Sequence, residues 1–132
     1  GKVMNLEEGI VARHLLVEII GSISLNEKKT MEEFLRDLAQ IYSGEILALQ
    51  VYQFQPFGLS ALLVMPESHV AVHTWPEHSY AALDIFLKMD LEPQDSIPLI
   101  ERYFAPQDVK IRELERGVKK KDGALVHPGL HQ

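Results

Sequence analysis

A short segment near the middle of the chain concentrates side chains that could carry out covalent chemistry. Residues 67–77 read ESHVAVHTWPE. A serine hydroxyl can attack the carbonyl group of the preceding residue, which converts the peptide bond into an ester, and β-elimination then cuts the chain. Applied to Glu67 and Ser68, these steps leave a pyruvoyl group on residue 68. Such a group is an electron sink, so the segment predicts a protein that makes its own cofactor.

Two further side chains could assist this self-cleavage. A second hydroxyl can hold the tetrahedral intermediate, and an imidazole can remove the α-proton during the elimination. Ser60 lies in the strand-like run before Pro66, and His73 lies five residues after Ser68. A hairpin through Pro66 would bring these three side chains near each other. Without such neighbours, Ser68 would be interpreted as part of a surface turn.

The histidines of the same segment allow a second interpretation, a metal site. His69 and His73 are four residues apart and would lie on one face of a strand, with His78 nearby. Strand positions four apart are roughly 13 Å distant, which is too far for two ligands of one zinc ion. We therefore predict no metal ligand.

Composition and charge narrow the class of protein. A length of 132 residues with 46% hydrophobic residues suits one domain with a single core. The formal net charge of −6 disfavours nucleic-acid binding, and the one basic run, 119–121, is followed by Asp122. No stretch approaches the roughly 20 apolar residues that span a bilayer, and residues 1–4 lack the apolar core of a signal peptide. The sequence predicts a cytoplasmic protein without a membrane or nucleic-acid partner.

Hydrophobic periodicity predicts the element order β-α-β-β-β-β-α-β. Thr30 and Glu33 have capping-box spacing, so we expect an amphipathic helix over 30–43 that stops at Gly44. A second helix should begin near Pro93. The strand-like runs are 13–20, 46–54, 59–65, 70–73, 80–86 and 109–114.

The short links between these runs favour antiparallel neighbours. The economical arrangement is an α+β fold, a two-layer α/β sandwich with a mostly antiparallel sheet and two helices on one face. The other sheet face would then be covered by a partner. The end of the chain, residues 118–132, mixes glycine, histidine and proline with charges and is expected to be a loose tail.

Several segments together resemble the short prokaryotic S-adenosylmethionine decarboxylases. The strongest likeness lies in residues 67–77 and in 80–86, which read YAALDIF. It extends to 13–18, to FQPFGLS at 54–60 and to 115–117, and so covers most of residues 12–117. The resemblance implies a two-layer α/β fold in which two protomers pair and build sites at their interface.

The resemblance also implies roles in self-processing. Ser68 would become the pyruvoyl group after cleavage between Glu67 and Ser68, and His73 with Ser60 would assist. Cleavage at this bond divides the 132 residues into parts of 67 and 65.

For turnover, the resemblance implies that the substrate amine forms a Schiff base with the pyruvoyl carbonyl, after which carbon dioxide leaves into the electron sink. Phe54 matches the residue that stacks on the adenine in the family. A flat aromatic face suits this role, since it can hold a purine with a sulfonium cation nearby. Glu77 matches the residue that binds the ribose hydroxyls.

One position departs from the family pattern. Where the family has a cysteine as proton donor, this chain has Lys88 and no cysteine anywhere. A lysine ammonium can donate a proton, but it is long and cationic and would repel a sulfonium. His78 and Ser79 also stand where the family usually has an aromatic residue followed by glycine. Both changes favour a shift in substrate toward L-ornithine or L-arginine, whose distal cation Glu77 or Asp84 could bind.

The sequence therefore predicts a self-processing, pyruvoyl-dependent decarboxylase that supplies polyamine (spermidine) synthesis. Its substrate would be S-adenosylmethionine or, alternatively, L-ornithine or L-arginine. A different class stays open, a non-catalytic homologue that regulates an active paralogue. Because a dead partner would have no reason to keep Ser60, Ser68 and His73 together, their retention argues against that class.

Overall fold

The computed structural model describes residues 9–120 and 124–126. Two helices, α1 (Lys28–Tyr42) and α2 (Ile97–Phe104), accompany the strands, and short 3-10 turns span Pro76–His78 and Pro93–Ser96. Up to residue 116 the element order confirms the predicted β-α-β-β-β-β-α-β, and two short strands that were not predicted follow. The strands are β1 (Ala12–Ile20), β2 (Ala48–Gln53), β3 (Leu59–Met65), β4 (Ser68–Trp75), β5 (Tyr80–Lys88), β6 (Asp108–Arg116), β7 (Val118–Lys119) and β8 (Leu125–Val126).

The main sheet has six strands in the order β2-β3-β4-β5-β1-β6, and every neighbouring pair is antiparallel. Both helices pack on the same face of this sheet, which confirms the predicted two-layer α+β sandwich. Strands β7 and β8 form a separate two-stranded ribbon.

The core lies between the helices and one face of the sheet, as the alternation of apolar residues along each strand requires. In the middle of α1, Phe34 is fully buried, and its ring meets that of Phe104 in α2 edge to face, with centroids 4.8 Å apart. The strand residues that point toward the helices are buried and include Leu15, Val17, Ile19, Leu63, Val70, Val72, Leu83, Ile85 and Leu87.

The opposite face of the sheet, which we call the open face, has no covering layer among the described residues. It carries exposed apolar side chains, including Tyr52, Leu62 and Trp75 at 60%, 42% and 41% exposure. Exposed apolar side chains on an uncovered sheet face are typical of a docking surface, which agrees with the expectation that a partner covers this face.

The chain order of the strands differs from their order in the sheet. Residues before the turn between β3 and β4 contribute α1 and strands β1, β2 and β3, while those after it contribute β4, β5, β6 and α2. Because β4 and β5 lie between β3 and β1, the two parts of the chain are interleaved in one sheet.

The predicted capping box is wrong, because α1 begins earlier than expected. Glu27 occupies the N-cap position and makes no side-chain capping bond. Thr30 lies inside the first turn, where its hydroxyl donates to a Glu27 carboxylate oxygen at 3.5 Å. The predicted stop at Gly44 is confirmed, because Gly44 has a φ of +70° and its N–H donates to the Ala39 carbonyl at 2.7 Å.

The two ends of the chain are described only in part. Gly9 bridges to Lys119, which belongs to the ribbon of β7 and β8. The expectation of a loose tail falls partly on 121–123 and 127–132, and the one about a signal peptide falls on residues 1–4, all outside the described residues. Neither described helix is long and apolar enough to cross a bilayer.

Candidate active site

The turn between β3 and β4 places the bond that is expected to be cut. Met65 pairs with Ser68, which leaves Pro66 and Glu67 as a two-residue turn. Glu67 has a φ of +54°. A proline followed by a residue with positive φ is typical of a type II β-turn, in which the second position favours glycine. A residue with a side chain costs about 1–2 kcal/mol in this conformation, so a strained residue precedes Ser68.

Ser68 is shielded from solvent at the start of β4. It is 6% exposed and lies on the helix-facing side of the strand with Val70 and Val72. Its hydroxyl oxygen accepts a hydrogen bond from the backbone N–H of Lys88 at 3.1 Å. The hydroxyl is therefore held in one position next to the carbonyl that it would attack.

Ser60 and His73 form a second reactive pair. They are direct neighbours across β3 and β4, and the Ser60 hydroxyl and His73 Nδ1 lie 2.8 Å apart, at hydrogen-bond distance. Both side chains lie on the open face, since Ala61, Val72 and Thr74 beside them point into the core. The structure thus confirms that these two residues meet.

The prediction that the same hairpin brings Ser68 to this pair is wrong within one chain. Strand β4 runs without a break from Ser68 to Trp75, so His73 lies five residues along it. Five residues of strand span roughly 17 Å, and an odd separation places the two side chains on opposite faces. One copy of the chain therefore holds the serine and its expected helpers apart.

An aromatic cavity of about 330 Å³ adjoins the Ser60–His73 pair. Its other lining side chains include Phe54, Phe57 and Trp75, each 41–46% exposed, together with Glu77.

The loop that carries the phenylalanines is fixed by its backbone. The Phe54 N–H donates to the Gly58 carbonyl at 2.8 Å, and the Gly58 N–H donates to the Asn26 side chain at 2.7 Å. Flat aromatic faces beside a carboxylate can hold a purine nucleoside or an organic cation. The structure thus brings Phe54 and Glu77 into one site, as expected for substrate-binding residues.

Lys88 lies at the end of β5 beside Ser68. Besides its backbone bond to Ser68, its ammonium lies 3.8 Å from a carboxylate oxygen of Asp90. Asp84, the other acidic residue considered for a distal cation, does not join Glu77. It lines a separate cavity of about 340 Å³ with Glu18, Lys110 and Arg112.

Sequence reasoning missed a ring cluster on the open face, which we call the Phe86 cluster. His69 stacks on Phe86 with centroids 5.2 Å apart and planes 5° from parallel, and His14 meets the same ring edge-on at 5.5 Å. The Arg116 guanidinium lies 5.6 Å from the ring centroid. The cluster draws on β1, β4, β5 and β6, and no spacing within one segment signals it.

Arg116 also fixes the state of His14. Its Nη1 lies 2.9 Å from His14 Nδ1, and a guanidinium can only donate, so Nδ1 accepts and the ring proton sits on Nε2. Burial, the largest cause, lowers the pKa of His14, and the charges of Arg116 and His69 lower it further while Asp84 opposes them. His14 Nε2 is buried without a hydrogen-bond partner among the described residues.

A second unpredicted network ties β1 to the segment after Lys88. Arg13 donates to Glu92 at 2.8 Å and to Glu113 at 2.7 Å. The hydrogen bond to Glu113 is the main cause that raises the pKa of Arg13, whereas the backbone N–H of Gln94 is the main cause that lowers the pKa of Glu92. The two ion pairs of this network join residues that are separated in the sequence by 79 and by 100 positions.

Within 9–120 and 124–126, no group of three acidic or histidine side chains is placed to hold a metal ion.

Comparisons with known proteins agree with this geometry. The S-adenosylmethionine decarboxylase family matches residues 13–117. An S-adenosylmethionine decarboxylase proenzyme of Thermomicrobium roseum is 33% identical over 82% of this chain and 95% of its own length. One of Syntrophomonas wolfei is 38% identical over 82% of this chain and 88% of its own length. The crystal structure of the adenosylmethionine decarboxylase from Aquifex aeolicus superposes with a TM-score of 0.74 at 21% identity, covering 93% of this chain and 98% of that one, and supports the fold.

Proposed function

Because the chain belongs to the S-adenosylmethionine decarboxylase family, we propose that it cuts itself between Glu67 and Ser68 and then decarboxylates S-adenosylmethionine. Proenzymes of this family form a pyruvoyl group by self-cleavage and depend on it. The observation that carries the proposal is the turn, in which strained Glu67 precedes the buried hydroxyl of Ser68.

The residues of the turn fit the formation of this group. Ser68 supplies the oxygen that attacks the Glu67 carbonyl, and the Lys88 N–H orients that oxygen. The attack forms an ester as the Glu67–Ser68 C–N bond breaks and the nitrogen takes up the hydroxyl proton. Once elimination has cut the ester, Glu67 no longer has to hold its positive φ. A pyruvoyl group at residue 68 accepts the electron pair that is left when carbon dioxide departs.

We further propose a homodimer in which the Ser60–His73 pair of one copy serves Ser68 of the other. The support is geometric, since one chain separates these groups by roughly 17 Å and places them on opposite faces. The exposed apolar residues of the open face provide a surface for the second copy. The same pairing brings Phe54 and Glu77 of one copy to the turn of the other.

Complementation between two inactive variants tests this arrangement. A His73→Ala chain keeps Ser68, and a Ser68→Ala chain keeps His73, so neither should cut itself alone. If the site is shared, co-expression restores one complete site per mixed dimer and the His73→Ala chain is cleaved. If each chain uses its own His73, the mixture stays uncut.

The aromatic cavity supports S-adenosylmethionine as the substrate, because Phe54 and Trp75 offer flat faces for a purine and Glu77 can accept hydrogen bonds from ribose hydroxyls. The product would feed polyamine (spermidine) synthesis. L-ornithine or L-arginine is the second candidate. It is favoured by Lys88, which stands at the family's cysteine position and whose cation would repel a sulfonium, and by the same carboxylate, which suits a distal ammonium or guanidinium.

Mass spectrometry and carbon dioxide release test the proposal together. The denatured protein should give two fragments, the second with a blocked amino end, whereas Ser68→Ala should give one intact chain without activity. Ser43→Ala, at the exposed end of α1, is the matched control and should be cut like the native protein. Incubation with each of the three substrates identifies the one that is decarboxylated. An intact native chain that is inert with all three would refute the enzyme and favour the regulatory homologue.

A further inference from the structure

We propose that His69 is a catalytic residue that protonates the substrate carbon from which carbon dioxide has left. This inference rests on the proposed function. Loss of carbon dioxide leaves an electron pair on that carbon, and an acid must supply the proton for the new C–H bond. An imidazolium gives up its proton in this step, becomes a neutral imidazole and regains a proton from water.

The position of His69 suits this step. It directly follows Ser68, so the two Cα atoms are about 3.8 Å apart. Its ring lies on the open face, as do Ser60 and His73, which line the aromatic cavity. The side chains of Ser68 and His69 leave β4 on opposite faces, but both residues line one cavity of about 600 Å³. A substrate attached at residue 68 can therefore reach His69, whereas Val70 lies in the core.

The Phe86 cluster fixes the orientation of His69. The ring of Phe86 lies parallel to the imidazole within 5°, and it is braced in turn by the edge of His14 and by the Arg116 guanidinium. No hydrogen bond to either ring nitrogen of His69 is formed among the described residues. The ring is held through its face, and its nitrogens are left for a ligand.

The neighbouring histidines are less suited to the role. His14 accepts a hydrogen bond from Arg116 at Nδ1, and burial lowers its pKa, so it is held in the neutral form that has no acidic proton to give. His73 Nδ1 lies 2.8 Å from the Ser60 hydroxyl, so this imidazole belongs to the pair to which we assign self-cleavage.

Lys88 is the remaining competitor. Its backbone N–H donates to the Ser68 hydroxyl, but its ammonium lies 3.8 Å from an Asp90 carboxylate oxygen. A lysine ammonium ordinarily loses its proton far above neutral pH, while an imidazolium does so close to it, so histidine is the more efficient acid at neutral pH. Geometry and residue type together favour His69.

The test uses His69→Gln in the whole chain, with Ser43→Ala at the exposed end of α1 as the control. Self-cleavage, read from intact masses, reports that each variant has folded and matured. We expect His69→Gln to mature like the native protein while kcat for carbon dioxide release falls by about 10²–10⁴-fold. Ser43→Ala should leave both quantities unchanged.

A second readout does not depend on the rate. A proton that reaches the carbon of residue 68 instead of the substrate leaves an amine there after hydrolysis, and the second fragment then begins with alanine. The fraction of fragments with this free amino end after a fixed number of turnovers should rise in His69→Gln. A mature variant with kcat within threefold of the native value and an unchanged blocked end would overturn the role of His69. If kcat falls and the free amino end accumulates in Lys88→Ala but not in His69→Gln, the proton donor is Lys88.

Two outcomes separate this inference from the proposed function. A native chain that never cuts itself contradicts the proposed function. A His69→Gln chain that stays uncut while the native chain matures places His69 in processing and contradicts only the present proposal.

Discussion

Replacing Glu67 by glycine should make the uncut protein more stable and slow its maturation. Glu67 has a φ of +54° at the second position of the turn, a conformation that glycine adopts without a steric penalty. Glu67→Ala removes the carboxylate but keeps the Cβ atom, and therefore keeps the strain. The pair of variants separates the backbone effect from the side-chain effect.

The magnitude follows from two opposing terms. Relief of the left-handed conformation contributes about 1–2 kcal/mol. The extra freedom of glycine in the unfolded chain removes about 0.4–1 kcal/mol of that gain. The net stabilisation is about 1 kcal/mol, which shifts a urea midpoint by about 0.5 M. If the strain is released during attack on the Glu67 carbonyl, cleavage slows by about 5–30-fold.

Stability is measured by urea unfolding in a Ser68→Ala background, where the chain should stay uncut. All samples have one protein concentration, because the proposed dimer would make stability depend on concentration. The cleavage rate is measured separately with Ser68 present, by following intact precursor over time. A Glu67→Gly chain that is less stable than Glu67→Ala by the full about 0.4–1 kcal/mol of glycine's unfolded-chain freedom would show that the turn stores no strain. A stabilised glycine variant that matures at the native rate would show that strain plays no part in the chemistry.

Three further predictions concern other parts of the molecule. His73→Ala should slow self-cleavage by about 10²-fold or more and leave intact chain or an ester, which hydroxylamine cleaves; a native rate of cleavage would exclude His73 from processing. Phe34→Ala should lower the free energy of unfolding by about 3–5 kcal/mol, measured in urea with Ser68→Ala present, because its ring is fully buried against Phe104. Because the pKa of His14 is lowered in the folded protein, the unfolded chain binds a proton at this residue more readily. The contribution of His14 to the free energy of unfolding is therefore fully present above about pH 6.5 and is lost as the pH falls below it. His14→Gln should show a smaller loss of urea midpoint between pH 7.5 and 5.5, and an equal loss would contradict the assignment.

Much of the fold was predictable because each element carries its own periodic pattern. Strand β3 was predicted at residues 59–65 and has those bounds. Strand β4 was predicted too short, at 70–73, although Ser68 pairs with β3 and Trp75 pairs with β5 at its two ends. The start of α1 was missed, because Thr30 with Glu33 imitates a cap and Glu27 makes no capping bond that a sequence pattern could signal.

The sequence predicted which residues could form the site, but not that Ser68 lies apart from Ser60 and His73 on the opposite face of the sheet. The pairing of Ser60 with His73 follows from a hairpin through Pro66, since short turns fix the pairing of the strands. The same pairing separates Ser68 from them, and the odd spacing of five residues could have shown it once β4 was taken as unbroken. The Phe86 cluster and the Arg13 network were out of reach, because both join residues from opposite ends of the chain.

If the chain cuts itself as proposed, the interleaved strand order makes that maturation irreversible. Cutting the chain after Glu67 leaves β3 and β4 joined by their backbone ladder, and β4 with β5 stays between strands of the first fragment. The fragments therefore remain together while the sheet is intact, but after unfolding they must find each other again. The uncut chain refolds as a single molecule, whereas the mature protein refolds at a rate that depends on concentration. Heat or denaturant should accordingly inactivate the mature form irreversibly at dilutions from which the Ser68→Ala chain recovers its structure.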